Sequence, residues 1–185
     1  ELAHHHDQQG IHEIALNLWN TDPKIQSDCI KVLYEIGYLF PELIATYGDD
    51  FLKLLKSRNN RLVWGSMIAL STIAALKADD LFTHYKEIVA VMEKGSVITV
   101  DNGIKVLAAL AAHNSAFSEK IFPYLIKHLA ACRPKDVPQH AEITAVAVAP
   151  QYKAGFIGVL EKRMEDMNPA QAARLKRIIQ AAGQR

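Results

Sequence analysis

Histidines and cysteines are the residues of this sequence best suited to metal or nucleophilic chemistry, yet their spacing does not favour such a site. His4, His5 and His6 could bind a metal ion if they converged on it, but a histidine run at a chain end is more typical of a flexible terminus. Cys29 and Cys132 lie about a hundred residues apart, too far for a closely spaced metal or redox pair. We therefore predict no catalytic residue, no metal ion and no cofactor.

Three further histidines, His84, His113 and His128, are scattered along the chain. Their spacing follows no metal-binding pattern, so we expect them to be surface or packing residues rather than ligands.

Aromatic and basic side chains at helical spacing offer a different chemistry, the recognition of a partner. Tyr34 and Tyr38 are four residues apart, as are Trp64 and Ile68, so each pair lies on one side of a helix. Aromatic anchors beside cations are typical of binding hot spots. We predict a face that binds a protein or peptide with acidic residues, formed by Lys31, Tyr34, Tyr38, Trp64, Ile68, Asp101 and Lys105. The alternative is that a cap or a second subunit covers this face, or that some of these residues belong partly to the core.

The composition is that of a folded chain without a strong overall charge. Half of the 185 residues are hydrophobic, and 21 Lys and Arg stand against 20 Asp and Glu. A net charge of +1 favours neither nucleic acid nor an anionic membrane as a partner. No run of eighteen apolar residues predicts a membrane span, and no signal peptide is evident. A cytoplasmic location is the default expectation.

The elements that must position these side chains repeat along the chain with a period near 37 residues. Apolar residues recur at this step in four triplets: Leu33, Leu70 and Leu107; Ile36, Ile73 and Leu110; Phe51, Ile88 and Leu125; Leu55, Met92 and Leu129. A period of this length is typical of stacked helical units that bury their apolar faces against their neighbours. We predict an all-α fold, a right-handed α-α superhelix, or solenoid, of about four to five antiparallel helix pairs.

The repeat also predicts the domain organisation. We expect a flexible terminus at 1–10 and a single helical-repeat domain over 11–185. The predicted repeats are roughly 22–57, 58–95, 96–133 and 136–166, and a terminal helix over 168–182 acts as a cap.

Residues at helix ends support these boundaries. Asp22-Pro23 places a capping side chain before a proline in the first helical turn, and Asn168 with Gln171 resembles a capping box. The segment 141–149 alternates alanine with branched residues and could be a strand. We favour a helix there, because a lone strand would leave its backbone groups unpaired.

Small residues recur in the same register on the first helix of each predicted pair, which we call the inner helix. Two sets align at the 37-residue step: Cys29, Ser66 and Gly103, and then Gly37, Ala74 and Ala111. Small side chains let neighbouring helices approach closely. Cys29 is therefore predicted to be a packed small residue rather than a nucleophile.

This pattern resembles the HEAT repeat family over roughly residues 22–166. The agreement is strong in three units and loose in the fourth. The residues that carry the resemblance, beside the repeat length, are Asp22, Pro23, Ile25, Cys29, Leu33 and Gly37, of which Ile25, Cys29 and Leu33 are expected on the buried side of the first inner helix. The resemblance implies a non-catalytic scaffold or adaptor that binds proteins on its concave face.

Two enzymatic alternatives follow from helical-repeat proteins of known activity. HEAT-like iron hydroxylases use several His-Glu pairs, whereas His12-Glu13 is the one adjacent pair in this sequence and cannot build that site alone. Helical-repeat DNA glycosylases that excise alkylated bases use concave tryptophans, a carboxylate and a basic groove. Trp64 and Asp101 lie on the same predicted face, so a DNA-binding or glycosylase-like protein is the alternative, weakened by the low net charge.

Overall fold

Helices are the regular elements of the chain throughout residues 3–184, which a computed structural model describes. The α-helices are α1 (Gln8–Leu16), α2 (Pro23–Leu39), α3 (Gly48–Leu54), α4 (Asn60–Ile73), α5 (Ala78–Phe82), α6 (Tyr85–Glu93), α7 (Val97–His113), α8 (Ser115–Ala131), α9 (Val137–Thr144), α10 (Lys153–Arg163) and α11 (Pro169–Gln184). Short 3-10 segments join them at Asn17–Trp19, Pro41–Leu43, Ala45–Tyr47, Pro134–Asp136, Ala145–Ala147, Pro150–Tyr152 and Met164–Asp166. The predicted all-α class is confirmed.

The side chains expected to start helices do so. Asp22 Oδ1 accepts a hydrogen bond from the backbone N–H of Lys24 at 2.8 Å, directly before α2. Ahead of α11, Asn168 Oδ1 accepts from the N–H of Gln171 at 2.9 Å, and Gln171 Oε1 accepts from the N–H of Asn168 at 3.0 Å. This reciprocal pair is a capping box, which satisfies two backbone donors that a helix end leaves without partners.

The second helix of each of the first two predicted repeats, which we call the outer helix, is short or interrupted. In the repeat 58–95 it is divided into α5 and α6 near Thr83, whose hydroxyl donates to the carbonyl of Asp80 at 2.8 Å. Such local bonds compete with the regular helical ladder. In the repeat 22–57 the outer helix α3 begins at Gly48, after two 3-10 segments.

The segment 141–149 is helical up to Ala147, and the α-helix to which it belongs begins earlier in the chain. α9 begins at Val137 and includes Pro138 in its first turn, where a missing backbone N–H costs nothing. After Thr144 the chain continues as a 3-10 segment and then leaves the helical conformation.

The chain forms two compact units, one up to Val106 and one from Leu107 onward, so that the boundary falls inside α7. In the first unit α2 packs along α4, and α3 packs against α4. In the second unit α8 packs on α10, and α11 packs on both α9 and α10. The single-domain organisation and the repeat boundaries remain predictions.

Two further expectations concern the N-terminus and membrane-spanning helices. Of the predicted flexible terminus, Glu1 and Leu2 lie outside the described residues, whereas Ala3 is buried. A flexible terminus therefore remains a prediction. Within residues 3–184, no helix combines the length and the apolar character that crossing a membrane requires.

The repeated apolar residues form the core, as predicted. Every member of the four triplets is buried, with at most 4% of its surface exposed. Two of the residues expected on the buried side of α2 are not fully buried, because Ile25 is 40% exposed and Cys29 is partly exposed. Ile25 shares its side of α2 with Val32 and Leu39, which follow at seven-residue steps and are also exposed.

Three hydroxyl groups are buried without a hydrogen-bond partner among the described residues. They belong to Ser66, Ser118 and Thr144, whose exposed fractions are 0%, 3% and 1%. An unpaired buried hydroxyl costs about 1 to 3 kcal/mol. At Ser66, therefore, small size rather than hydrogen bonding suits the position, in line with the predicted set of small residues.

Gly37 lies where α2 comes close to α4. A methyl group there would lie 2.7 Å from Cδ1 of Ile44 and closer still to Thr72. Thr72 cannot easily turn away, because its hydroxyl donates to the carbonyl of Ala69 at 2.7 Å. We expect Gly37→Ala to lower the free energy of unfolding by about 1 to 3 kcal/mol in urea denaturation. Gly155→Ala is the matched control in α10, where an added methyl group meets no atom within 4 Å; equal stability of the two variants would contradict the close approach.

Candidate partner-binding site

Three of the predicted site residues form one aromatic cluster, Tyr34, Tyr38 and Trp64. The rings of Tyr34 and Tyr38, one turn apart on α2, lie edge to face with centroids 6.2 Å apart. Tyr34 also meets Trp64 of α4 at 6.2 Å, with the rings tilted by 52°. These distances lie within the range in which aromatic rings attract each other. The aromatic cluster therefore joins two inner helices of the first unit.

The members of the predicted face differ strongly in exposure. Tyr38 is 53% exposed and Trp64 is half-buried, whereas Tyr34 and Ile68 keep only 8% and 7% of their surface exposed. Tyr34 and Ile68 therefore belong mainly to the core, in line with the alternative interpretation of this face, whereas Tyr38 and Trp64 remain accessible. The reason is the close packing of α2 and α4: Gly65 has no side chain, so the Ile30 side chain lies directly against its backbone.

Lys31 and Tyr38 share a groove along the outward side of α2. Its volume is about 660 Å³. The residues that line it are Ala3, Asp28, Lys31, Val32, Glu35, Ile36, Tyr38 and Leu39. We call this the α2 groove. Its walls combine exposed apolar surface with one basic and two acidic side chains.

The two remaining predicted residues lie on α7, where a buried asparagine holds one of them. Lys105 Nζ donates to Asn102 Oδ1 at 3.0 Å, and the Ser71 hydroxyl of α4 donates to the same oxygen at 3.4 Å. Asn102 is 6% exposed and donates to the carbonyl of Ile98 at 2.9 Å. Lys105 is thus partly engaged within the protein, and Asp101 is half-buried. Sequence reasoning missed Asn102, a buried polar residue of α7.

Burial raises the pKa of both tyrosines of α2, and the negative charge of Glu35 raises it further. The phenol groups therefore stay protonated at neutral pH. The exposed hydroxyl of Tyr38 can donate a hydrogen bond to a carbonyl or carboxylate of a partner.

A second polar group, the His-Cys cluster, consists of His128, Cys132 and His140. His128 Nε2 lies 2.9 Å from His140 Nδ1, and the ligand atoms of all three residues lie within 4.8 Å of one another. His128 thus lies close in space to His140, although the two are twelve residues apart in the sequence. The four-residue step from His128 to Cys132 could have signalled the pair, whereas only the fold brings His140 to it. Burial raises the pKa of the Cys132 thiol, and the charge of Arg163 opposes that rise.

Comparisons with known proteins concern the fold alone. No protein-family model matches the chain, and no curated protein matches it in sequence. An engineered protein solved by the Northeast Structural Genomics Consortium has a TM-score of 0.71 at 18% identity, with 95% of this chain and 80% of that chain covered. A second engineered protein from the same consortium has a TM-score of 0.70 at 16% identity, covering 93% and 80%. A designed armadillo repeat protein has a TM-score of 0.62 at 15% identity, covering 92% and 89%. The chain thus has the all-α helical-repeat fold of armadillo-like proteins.

Proposed function

We propose that this chain is a non-catalytic, HEAT-like scaffold or adaptor that binds a peptide or protein segment on the exposed side of α2 and α4. The observation that carries the proposal is the aromatic cluster. Its exposed member, Tyr38, is connected through Tyr34 to Trp64 on the next inner helix and shares the α2 groove with Lys31.

The exposed surface supports an apolar contact. Tyr38 and Leu39 are 53% and 56% exposed, and Val32 is 38% exposed. Covering apolar surface contributes about 25 cal/mol per Å² before the entropy cost of association. A partner that places aliphatic or aromatic side chains against these residues would therefore gain affinity without opening the core.

The charges of the α2 groove restrict the partner further. Lys31 favours a carboxylate nearby, whereas Asp28 and Glu35 repel one elsewhere in the groove. The segment that fits best carries a single acidic residue beside apolar ones, rather than an acidic run. Like-charge repulsion by Asp28 and Glu35 would then contribute to specificity.

A display library of such peptides tests the proposal directly. In a Trp19→Phe background the remaining tryptophan, Trp64, reports binding by its fluorescence. We expect Tyr38→Ala to lower the binding affinity of a selected peptide by about tenfold or more, because hot-spot aromatics contribute about 2 kcal/mol or more to binding. Val146→Ala is the matched control, since Val146 is 61% exposed and lies in the second unit.

A charge reversal at Lys31 tests the same contact independently. Lys31→Glu should lower the affinity for peptides that contain an acidic residue and should leave the affinity for their neutral analogues unchanged. Affinity that changes with neither Tyr38 nor Lys31 would contradict the proposed site. Salt-dependent binding of duplex DNA with release of an alkylated base would support the nucleic-acid alternative instead.

A further inference from the structure

We propose that the His-Cys cluster, formed by His128, Cys132 and His140, binds a zinc ion. This inference is independent of the proposed partner site, because all three residues lie in the second unit. Two imidazole nitrogens and a thiol are donors that zinc prefers, and their ligand atoms already lie within 4.8 Å of one another.

The donor distances are close to those that a tetrahedral zinc ion requires. Tetrahedral zinc with Zn–N near 2.0–2.1 Å and Zn–S near 2.3 Å places its nitrogens about 3.3 Å apart and each nitrogen about 3.6 Å from the sulfur. His128 Nε2 and His140 Nδ1 lie 2.9 Å apart and would separate by a few tenths of an ångström, while both rings turn so that their lone pairs meet at the ion. The ligand atoms lie within 4.8 Å of one another, so the Cys132 sulfur would come closer by about 1.2 Å at most through side-chain rotation.

Hydrogen bonds from Arg163 hold the backbone that carries two residues of the His-Cys cluster. Arg163 donates to the carbonyl of Leu129 at 2.8 Å and to the carbonyl of Cys132 at 2.9 Å, so it holds the end of α8 from which His128 and Cys132 project. His140 comes from α9 and is only 1% exposed. Ligands held in this way lose little entropy when a metal binds.

The charges near the cluster nearly cancel. The Arg163 guanidinium disfavours a cation, but it pairs with Asp166 at 2.8 Å, and the negative charge of Asp136 also acts on Cys132. The C-terminal end of α8 adds the partial negative charge of its dipole. A thiolate at Cys132 would supply the remaining negative charge, so zinc and cysteinate stabilise each other.

Binding requires the transfer of protons but no redox step. The S–H bond of Cys132 breaks and its proton passes to water as the Zn–S bond forms. The imidazole hydrogen held between His128 and His140 moves to the opposite nitrogen of its ring, which leaves two lone pairs for the Zn–N bonds. Three protein ligands leave a fourth position of the tetrahedron for water.

Cobalt(II) is the probe for this site, because a thiolate ligand gives cobalt a strong charge-transfer absorption in the near ultraviolet. The full chain is used with His4, His5 and His6 changed to Asn, so that the histidine run cannot contribute. We expect one cobalt ion per chain, displacement of cobalt by zinc, and a zinc-dependent rise in the midpoint of thermal unfolding. Cys132→Ser should abolish the charge-transfer band.

Cys29→Ser is the matched control, since it removes the other thiol and should leave the band unchanged. His128→Gln and His140→Gln should each weaken cobalt binding by about tenfold or more. Circular dichroism of each variant without metal separates lost binding from lost folding, and His128→Gln serves if the buried His140 variant does not fold. Absence of the band, its retention in Cys132→Ser, or affinity unchanged by His128→Gln would overturn the proposal.

Discussion

Leu70→Ala is expected to lower the free energy of unfolding by about 2 to 5 kcal/mol. Leu70 lies in α4, has no exposed surface, and belongs to a 37-residue triplet whose members are all buried. Truncation removes apolar contacts and leaves a cavity that the close packing of α2, α3 and α4 cannot fill without strain. Urea denaturation followed by circular dichroism measures the change.

Leu76→Ala provides the matched control for this prediction. Leu76 lies three residues after the end of α4 and is 55% exposed, so the same truncation should change stability by less than about 0.5 kcal/mol. Similar losses at Leu70 and Leu76 would show that the register derived from the repeat does not describe the core.

Arg163→Met is expected to lower the free energy of unfolding by about 2 to 5 kcal/mol. Arg163 is 9% exposed and donates to the carbonyls of Leu129 and Cys132. Methionine retains the apolar stem of the side chain but leaves both carbonyls without these donors, at a cost of about 1 to 3 kcal/mol each. Thermal or urea unfolding of the purified variant measures the loss.

Arg133 is an internal control for Arg163, because both arginines pair with an aspartate three residues later. The Arg133–Asp136 distance is 2.7 Å and the Arg163–Asp166 distance is 2.8 Å, but the side chain of Arg133 is 50% exposed. Arg133→Met should therefore cost at most about 1 kcal/mol. Equal losses at the two positions would mean that the ion pair, and not the carbonyl contacts, determines the contribution of Arg163.

The fold could be predicted because its strongest signals lie in the sequence itself and do not depend on which helices meet. The apolar side of each helix follows helical periodicity, the recurrence of Leu33, Leu70 and Leu107 follows the 37-residue repeat, and capping at Asp22 depends on neighbouring residues. The interruptions of the outer helices were harder to predict. A hydroxyl-to-carbonyl bond such as that of Thr83 competes with the helix by a small free energy that the apolar pattern does not reveal.

The candidate sites were predictable to a lesser degree, because they depend on contacts between helices. Spacing placed Tyr34 and Tyr38 on one side of a helix, and their ring contact agrees with that placement. The phase of a single helix, however, does not show how closely its neighbour covers it, so the sequence left open whether Tyr34 and Ile68 are buried. His128 and His140 are twelve residues apart and meet only because α9 turns back towards the end of α8.

The unpaired hydroxyls of Ser66, Ser118 and Thr144 have a consequence for the thermal tolerance of the molecule. Each of these hydroxyl oxygen atoms is buried and has no hydrogen-bond donor or acceptor beside it among the described residues. Each unpaired hydroxyl therefore lowers the free energy of unfolding relative to an apolar side chain of similar size at the same position. Natural chains commonly stop short of their attainable stability in this way, which leaves scope for a more heat-resistant form of the same backbone.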